Sequence, residues 1–293
     1  MQGRILKGIA GFYYIQPENL EDIYECKAKG IFRKRQQKPL VGDLVEIEVI
    51  DSENLKGNIV KLCPRKNSLI RPAVANVDQA VVIFAMKRPD PLFTLLDSFL
   101  IMMRMAGLPV VLVFNKADLA DESEKEEFRK VYAGADVKIL FTSAAKGIGV
   151  DEVRDVLRGK VSTVAGPSGA GKSTLINMLC GSERMETGAV SEKIGRGKQT
   201  TRHTELLEIE SNSFIMDTPG FSSLELPEME KEDLEQYYPE FDRYRGNCYF
   251  KRCVHIHEPG CSVRDALEEG DINIKRYESY KSLYETLDGR RRY

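Results

Sequence analysis

Two hydrophobic patterns divide the chain, and the first covers about 65 residues. There, short runs rich in β-branched and aromatic residues alternate with polar turns that contain Gly, Pro and Asn. These runs predict strands at 4–14, 23–34, 43–50 and 57–62. Short strands at this spacing favour a small closed β-barrel, and the length suits the five strands of an OB-fold.

From residue 71 onward, apolar runs alternate with amphipathic segments. The runs predict strands at 80–85, 109–114, 137–141, 161–165 and 214–216, and the segments between or after them predict helices at 93–105, 122–132, 150–157 and 173–180. Such alternation is typical of an α/β domain with a parallel sheet covered on both faces.

Beyond residue 227, acidic and aromatic residues lead into a cluster of cysteine and histidine and then a predicted helix at 272–287. We therefore predict three domains: the barrel at 1–67, the α/β domain at 68–227 and a small α-rich domain at 228–293.

Composition narrows the class of protein. The chain has 293 residues, of which 42% are hydrophobic and 30% charged, so a disordered or collagen-like chain is excluded. No apolar run reaches the roughly 18 residues of a membrane span, and the N-terminus lacks a signal-peptide pattern. We expect a cytoplasmic protein that does not bind membranes and whose six cysteines are reduced. The net charge of −2 neither favours nor excludes a nucleic-acid partner.

Residues 166–173 match the phosphate-binding pattern G-x-x-x-x-G-K-S/T, between a predicted strand and a predicted helix. Backbone N–H groups of such a loop bind phosphates, which makes this a P-loop. Lys172 is expected to reach the β- and γ-phosphates, and Ser173 to bind Mg²⁺. The predicted nucleotide contacts here are Gly166, Pro167, Ser168, Gly169, Ala170, Gly171, Lys172, Ser173 and Thr174.

A second motif predicts that the base is guanine. Asn115, Lys116 and Asp118 form the pattern N-K-x-D directly after a predicted strand. A carboxylate at this place accepts two hydrogen bonds from guanine, whereas adenine offers the wrong donors. Alone, the pattern also fits a loop that caps a helix, but beside a P-loop it favours guanine. Ser143 and Ala144 end the next predicted strand, where backbone N–H groups can meet the guanine oxygen.

The remaining nucleotide motif is Asp-Thr-Pro-Gly at 217–220. Asp217 suits the Mg²⁺ shell through water, and the N–H of Gly220 suits the γ-phosphate. Thr201 or Thr200 is expected to close on Mg²⁺, and the sequence does not decide between them. These are the five motifs of Ras-like GTPases, but here the base motifs precede the phosphate motifs, which indicates a circular permutation.

Cys248, Cys253, His255 and Cys261 have a spacing that suits a closed, tetrahedral and structural Zn²⁺ site. His257 is a rival ligand, and free cysteines that cluster by chance are the plain alternative. Because the Asp-Thr-Pro-Gly motif leads directly into this region, we hypothesise that the nucleotide state affects residues 228–293.

The combination resembles the ribosome small-subunit-dependent GTPase A family of bacteria, over essentially the whole chain. It consists of a barrel-like N-terminal region, a permuted GTPase and the pattern C-x4-C-x-H-x5-C. The resemblance implies an OB-fold, GTP hydrolysis, a zinc domain that uses His255, and work on maturing 30S subunits through 16S rRNA. We further expect a monomer.

Phe221 follows the Asp-Thr-Pro-Gly motif, where Ras-like enzymes have the glutamine that orients water. We therefore predict slow intrinsic hydrolysis of GTP to GDP and phosphate, stimulated by the ribosome. His203 either positions water or is a solvated loop residue.

A basic stretch of the barrel is the predicted RNA contact. It contains no acid within 12 residues, it includes Phe32 as an aromatic partner, and its cations are Lys27, Lys29, Arg33, Lys34, Arg35 and Lys38. Alone it fits a solvated face, but the predicted fold and the resemblance favour RNA.

The motifs leave two alternative functions. An RNA-binding assembly factor that senses GTP without turnover is favoured by Phe221, whereas an ATP-using P-loop enzyme such as a kinase is disfavoured by Asn115 and Asp118.

Overall fold

The computed structural model describes most of the chain. The described residues are 1–18, 20–29, 32, 38–69, 73–181, 205–217, 226 and 229–290. None of the helices in these ranges is long and apolar enough to span a membrane.

A closed five-stranded barrel forms the N-terminal part, as the sequence predicts. Its strands follow the order β1-β2-β3-β5-β4. They are β1 (Gln2–Ile9), β2 (Phe12–Pro17), β3 (Tyr24–Ala28), β4 (Leu44–Asp51) and β5 (Lys56–Leu62). Strands β3 and β5 pair in parallel, and the other neighbours are antiparallel. Ile5, Ile15 and Ile59 are fully buried in its core.

Two predicted strands of this barrel were too long. The range 4–14 is a hairpin of β1 and β2, because Ala10 and Gly11 have φ values of 50° and 88° and turn the chain. The third barrel strand ends at Ala28 rather than at residue 34.

After a short pair of strands, β6 (Ser68–Leu69) and β7 (Val74–Ala75), the α/β part begins. Its strands are β8 (Gln79–Ala85), β9 (Val110–Asn115), β10 (Lys138–Phe141), β11 (Val161–Ala165), β12 (Leu207–Glu210) and β13 (Ser213–Asp217). Its helices are α1 (Phe93–Met105), α2 (Glu122–Tyr132), α3 (Val150–Leu157) and α4 (Lys172–Cys180).

The strand order in this sheet is β10-β9-β8-β11-β13-β12. Strands β9 and β10 are parallel, as are β11 and β13, whereas β12 is an antiparallel edge strand that the sequence analysis missed. Every residue of β8 and β9 is buried, as expected for strands covered on both faces.

The C-terminal part is α-rich. Two 3₁₀ helices, Lys231–Tyr237 and Pro239–Phe241, precede α5 (Ser262–Glu269) and α6 (Ile274–Arg290). The last helix begins two residues later than predicted and ends at Arg290. Tyr238, Phe241 and Tyr280 pack ring against ring in its core, with centroids 5.0 to 5.3 Å apart.

The chain forms two compact units, each made of three segments. One comprises Met1–Ala80, Glu152–Ala165 and Ile176–Gly220, and the other comprises Val81–Asp151, Gly166–Leu175 and Phe221–Tyr293. The predicted domain boundaries near residues 67 and 227 remain predictions.

A buried arginine attaches α6 to α1 within the second unit. The Nε of Arg276 donates to Oε1 of Glu240 at 2.6 Å, and its Nη1 donates to Asp97 on α1. Its guanidinium also lies 4.5 Å from the ring centroid of Tyr238. Burial raises the pKa of Asp97, although Arg276 opposes that shift. The arginine therefore compensates carboxylates that water cannot reach.

We predict that Arg276→Met lowers the free energy of unfolding by about 3–5 kcal/mol, because it leaves the buried carboxylates of Asp97 and Glu240 without their cation. The pKa of Asp97 then lies further above its unfolded value, so the folded variant retains a proton that the unfolded chain releases. Stability of the variant therefore falls as pH rises from about 5 to about 8.

The measurement is urea unfolding followed by circular dichroism at both pH values. Lys281→Met is the matched control, since Lys281 is an exposed cation on the same helix. Equal stability of the two variants would contradict the prediction.

Candidate nucleotide site and metal centre

The predicted phosphate loop connects β11 to α4, and its backbone requires glycine. Gly166 has a φ of +143°, and a Cβ there would lie 2.1 Å from the backbone oxygen of Ile83. The ammonium of Lys172 donates to the carbonyl oxygens of Gly166 at 2.9 Å and of Pro167 at 2.8 Å. The lysine side chain is thus folded back over the loop. An anion bound there would compete with the two carbonyl oxygens for the ammonium.

Asn115 is buried at the end of β9 and joins three segments of the site. Its Nδ2 donates to the carbonyl of Ala170 in the phosphate loop at 2.9 Å. Its Oδ1 accepts from the Thr142 hydroxyl at 3.1 Å and from the N–H of Ala144 at 3.0 Å. Gly171 permits this approach, since a Cβ there would lie 2.3 Å from Nδ2 of Asn115. The sequence motifs 115–118, 143–144 and 166–173 are therefore assembled at one place.

Asp118 lies on a 3₁₀ helix, Ala117–Leu119, that follows β9. The Ser143 hydroxyl and the ammonium of Lys146 hold the pKa of its carboxyl below the usual value. Lys146 Nζ is 3.1 Å from Oδ2 of Asp118. The carboxylate is therefore ionised at neutral pH and accepts hydrogen bonds. Lys146 was not among the predicted residues, although its place two residues after Ala144 was a usable signal.

Lys116 has a left-handed backbone, with a φ of 58°. Its ammonium donates to the carbonyl of Arg88, on the loop after β8. This contact links the Lys116 side chain to the loop after β8.

Several predicted residues lie outside the described part of the chain. They are Thr200, Thr201, His203, Gly220 and Phe221, and β13 ends at Asp217, whose side chain is also not described. The hypothesis that the nucleotide state affects residues 228–293 likewise remains a prediction.

Cys248, Cys253, His255 and Cys261 come together as the spacing predicts. Their ligand atoms all lie within 4.8 Å of one another. His255 Nδ1 is 3.3 Å from Sγ of Cys261 and 3.6 Å from Sγ of Cys248. Metal–sulfur and metal–nitrogen bonds of about 2.3 and 2.0 Å fit such a cluster. Burial raises the pKa of the Cys253 and Cys261 thiols, so a cation is what would stabilise the thiolates. This cluster can bind a metal ion.

The structure selects His255 over His257 as the cluster histidine. It also places Glu235, which was not predicted from the sequence, beside His255. His255 is buried, whereas His257 is exposed and lies outside the cluster. Nε2 of His255 is 2.5 Å from Oε2 of Glu235, on the first 3₁₀ helix of this region. A carboxylate at this nitrogen orients the ring and leaves Nδ1 free for a metal. Glu235 is 20 residues away in sequence, so no local spacing identified it.

The predicted RNA-binding cations are only partly described. Lys27, Lys29 and Lys38 are exposed, while Arg33, Lys34 and Arg35 lie outside the described residues. Lys29 pairs with Glu48 at 2.7 Å, and Lys27 lies 4.9 Å from the ring centroid of Phe12.

The prediction that Phe32 accompanies these cations at the surface was wrong. Phe32 is 5% exposed and packs in the barrel core. The interior of a barrel this small is filled by side chains, and an apolar ring is stabilised there.

Comparison with known proteins gives the same architecture. The family model described as "RsgA GTPase" matches residues 62–227, and that described as "RsgA N-terminal domain" matches residues 2–59. The "Small ribosomal subunit biogenesis GTPase RsgA" of Agathobacter rectalis is 52% identical, over 100% of both chains. The protein of the same name from Clostridium botulinum is 48% identical, over 99% of this chain and 98% of its own.

Solved structures are similar over nearly the whole chain. YjeQ from Thermotoga maritima superposes with a TM-score of 0.81 at 35% identity, covering 98% of each chain. YloQ, described as a circularly permuted GTPase, gives a TM-score of 0.79 at 30% identity, over 99% of this chain and 95% of its own.

We predict that Glu235→Ala weakens metal binding by about 10- to 100-fold, because His255 loses the carboxylate that orients it. Competition with a chromophoric chelator, with Zn²⁺ as the probe, measures the affinity. Glu268→Ala is the control, since Glu268 is an exposed carboxylate on α5. A loss of the same size in both variants, or in neither, would count against a role for Glu235.

Proposed function

Since the chain belongs to the RsgA GTPase family, a family of GTP hydrolases, we propose that it assists late maturation of the small ribosomal subunit. In this proposal the chain binds the 30S subunit through 16S rRNA as a monomer in the cytoplasm. Contact with the subunit stimulates hydrolysis of GTP to GDP and phosphate, and hydrolysis releases the protein. The relatives that are named small ribosomal subunit biogenesis GTPases support this substrate and partner.

The observation that carries the proposal is the junction at Asn115. One buried amide contacts Ala170 of the phosphate loop, and its oxygen binds the segment that contains Ser143 and Ala144. If residues 166–173 bind phosphates and residues 115–118 bind a base, as we propose, this contact holds the two sites at a defined separation. A nucleotide, which has phosphates and a base, fits such an arrangement. A glycine-rich turn that binds no ligand would not need the contact to Asn115.

At the base, we assign guanine recognition to Asp118 together with Asn115, Lys116, Ser143 and Ala144. The lowered pKa of Asp118 supports an ionised acceptor for the two guanine donors. Adenine would not supply the two donors that this carboxylate accepts from guanine, which costs a large factor in affinity.

At the phosphates, we assign binding to residues 166–174. Lys172 and the loop N–H groups face the β- and γ-phosphates, where charge accumulates during in-line attack by water. Ser173, Thr201 or Thr200, and Asp217 through water would hold Mg²⁺, for which oxygen donors are suited. The metal would neutralise phosphate charge, and the N–H of Gly220 would bind the γ-phosphate.

Phe221 occupies the position at which Ras-like GTPases have the glutamine that orients the attacking water. Phenylalanine cannot orient water by a hydrogen bond, so intrinsic hydrolysis is slow and the ribosome supplies or completes the missing element. His203 is a candidate for positioning the water.

For the cluster at Cys248, Cys253, His255 and Cys261, we propose Zn²⁺. Three sulfurs and one nitrogen leave no open position, which suits a structural ion rather than a catalytic one. The barrel cations Lys27, Lys29, Arg33, Lys34, Arg35 and Lys38 are proposed to contact the RNA backbone.

The direct test is phosphate release from GTP and from ATP, with and without purified 30S subunits. We expect a low rate with GTP alone, a strong increase with 30S subunits and no release from ATP. Tight GTP binding without stimulation would instead favour a nucleotide-sensing RNA-binding factor.

We predict that Asp118→Asn lowers affinity for GTP by about 100-fold or more, because the amide presents a donor where guanine needs an acceptor. The same variant is expected to gain affinity for xanthosine triphosphate, whose base offers the complementary pattern. Titration with fluorescent analogues of both nucleotides measures the two affinities. Asp90→Asn, an exposed carboxylate on the loop after β8, is the control and should bind GTP like the parent chain.

A further inference from the structure

The loop after β8 lies against two motifs of the nucleotide site. The N–H of Met86 donates to the backbone carbonyl of Asn115 at 2.8 Å, so the loop begins beside the base motif. Three residues further along, the Cδ of Pro89 is 3.4 Å from the place that a Cβ of Gly169 would take in the phosphate loop. The loop therefore passes from the base motif to the phosphate loop, and Arg88 lies between these two contacts.

The backbone of Arg88 is held in an unusual conformation. Its φ is 54°, in the left-handed region that residues with a side chain rarely adopt. Its carbonyl oxygen accepts from the ammonium of Lys116, and the neighbouring Lys87 pairs with Glu124 on α2 at 2.7 Å. A strained backbone persists only where its surroundings hold it, and such residues cluster at ligand sites. Contacts on both sides thus fix Arg88 at the edge of the nucleotide site.

The guanidinium of Arg88 has no partner among the described residues. The side chain is exposed, and no ion pair or hydrogen bond to it is formed by the part of the chain that the structure describes. By contrast, Lys87 is paired with Glu124, and Lys146 at the base motif is paired with Asp118. A guanidinium is always charged at neutral pH, and its N–H groups match the oxygens of a phosphate. Arg88 is therefore available to an anionic ligand.

The covalent structure of a nucleotide decides which of its groups lies beside Arg88. In the proposed function, residues 115–118 bind the base and residues 166–173 bind the β- and γ-phosphates. The ribose and the α-phosphate connect the base to the β-phosphate, so they cross the space between these two motifs. Arg88 contacts the first motif through Lys116 and adjoins the second through Pro89. Of the two connecting groups only the α-phosphate is charged, and a guanidinium binds a phosphate more strongly than a hydroxyl.

We propose that Arg88 is a further nucleotide-binding residue whose guanidinium binds a non-bridging oxygen of the α-phosphate. The inference rests on the proposed function, since it adds a residue to the same site. Arg88 lies in none of the motifs at 115–118, 143–144 and 166–174. The bond that water breaks joins the β- and γ-phosphates, so this contact is the same before and during the reaction. It therefore raises the affinity for nucleotide and leaves the rate of the chemical step unchanged.

The test is calorimetric titration of the full chain, in the presence of Mg²⁺, with guanosine, GMP, GDP and a non-hydrolysable GTP analogue. Arg88→Gly removes the guanidinium and keeps the loop, because glycine adopts a positive φ readily. We expect the variant to bind the three nucleotides about 3- to 15-fold more weakly, and by similar factors, since each has an α-phosphate. Its affinity for guanosine, which has no phosphate, should change by less than about twofold.

Two further variants separate the guanidinium from its charge and from general effects. Arg88→Lys keeps a cation without the planar group and should lose less affinity than Arg88→Gly. Arg243→Ala removes an exposed arginine of the C-terminal part and should bind all four ligands like the parent chain. Thermal unfolding followed by circular dichroism should show that Arg88→Gly is at least as stable as the parent chain. Its single-turnover rate at saturating GTP should equal that of the parent chain.

Unchanged affinity of Arg88→Gly for GDP would overturn the inference. An equal loss for guanosine would also overturn it, because Arg88 would then act on the base through Lys116. So would a loss confined to the GTP analogue, which would assign the guanidinium to the γ-phosphate. The proposed function is judged by another result, which is GTP hydrolysis by the parent chain with and without 30S subunits. The two can therefore fail independently.

Discussion

The site depends on one buried side chain, Asn115. Its amide must contact the phosphate loop at Ala170 and the segment at Ala144 at the same time. Residue 171 is a glycine, and a Cβ at this position would collide with Nδ2 of Asn115. This constraint concerns positions in space and not the order along the chain. The base motifs can therefore precede the phosphate loop in sequence while the same contacts form, which is how a circularly permuted GTPase retains its site.

The C-terminal part depends on similar long-range polar contacts. Glu235 orients His255 from 20 residues away, and Arg276 joins α6 to Asp97 on α1. In the second pair both side chains are buried, so removing Arg276 leaves the Asp97 carboxylate buried without its cation, which is why such a pair links distant segments strongly. Cys248 and Cys253 of the metal cluster flank the exposed Tyr249.

Local patterns of apolar and polar residues predicted helices and strands well in the α/β part, where whole strands are buried. Helices α1 and α2 and strand β9 lie where their apolar and amphipathic patterns place them, because strands covered on both faces have continuous apolar runs. The hairpin at Ala10 and Gly11 was missed, since its two strands share one continuous run of strand-forming residues. Phe32 shows the same limit: its cationic neighbours suggested the surface, but the barrel core needed the ring.

The sequence by itself determined the motif segments, the family resemblance and the candidate ligands at Cys248, Cys253, His255 and Cys261, because each depends on residue types at short, regular spacing. Only the tertiary structure decided that Glu235 and Lys146 support the two sites, that Phe32 is buried in the barrel core, and that Tyr249 is exposed. These facts depend on which segments pack together. Packing is set by burial and by pairing between residues far apart in the chain, and no local pattern encodes it.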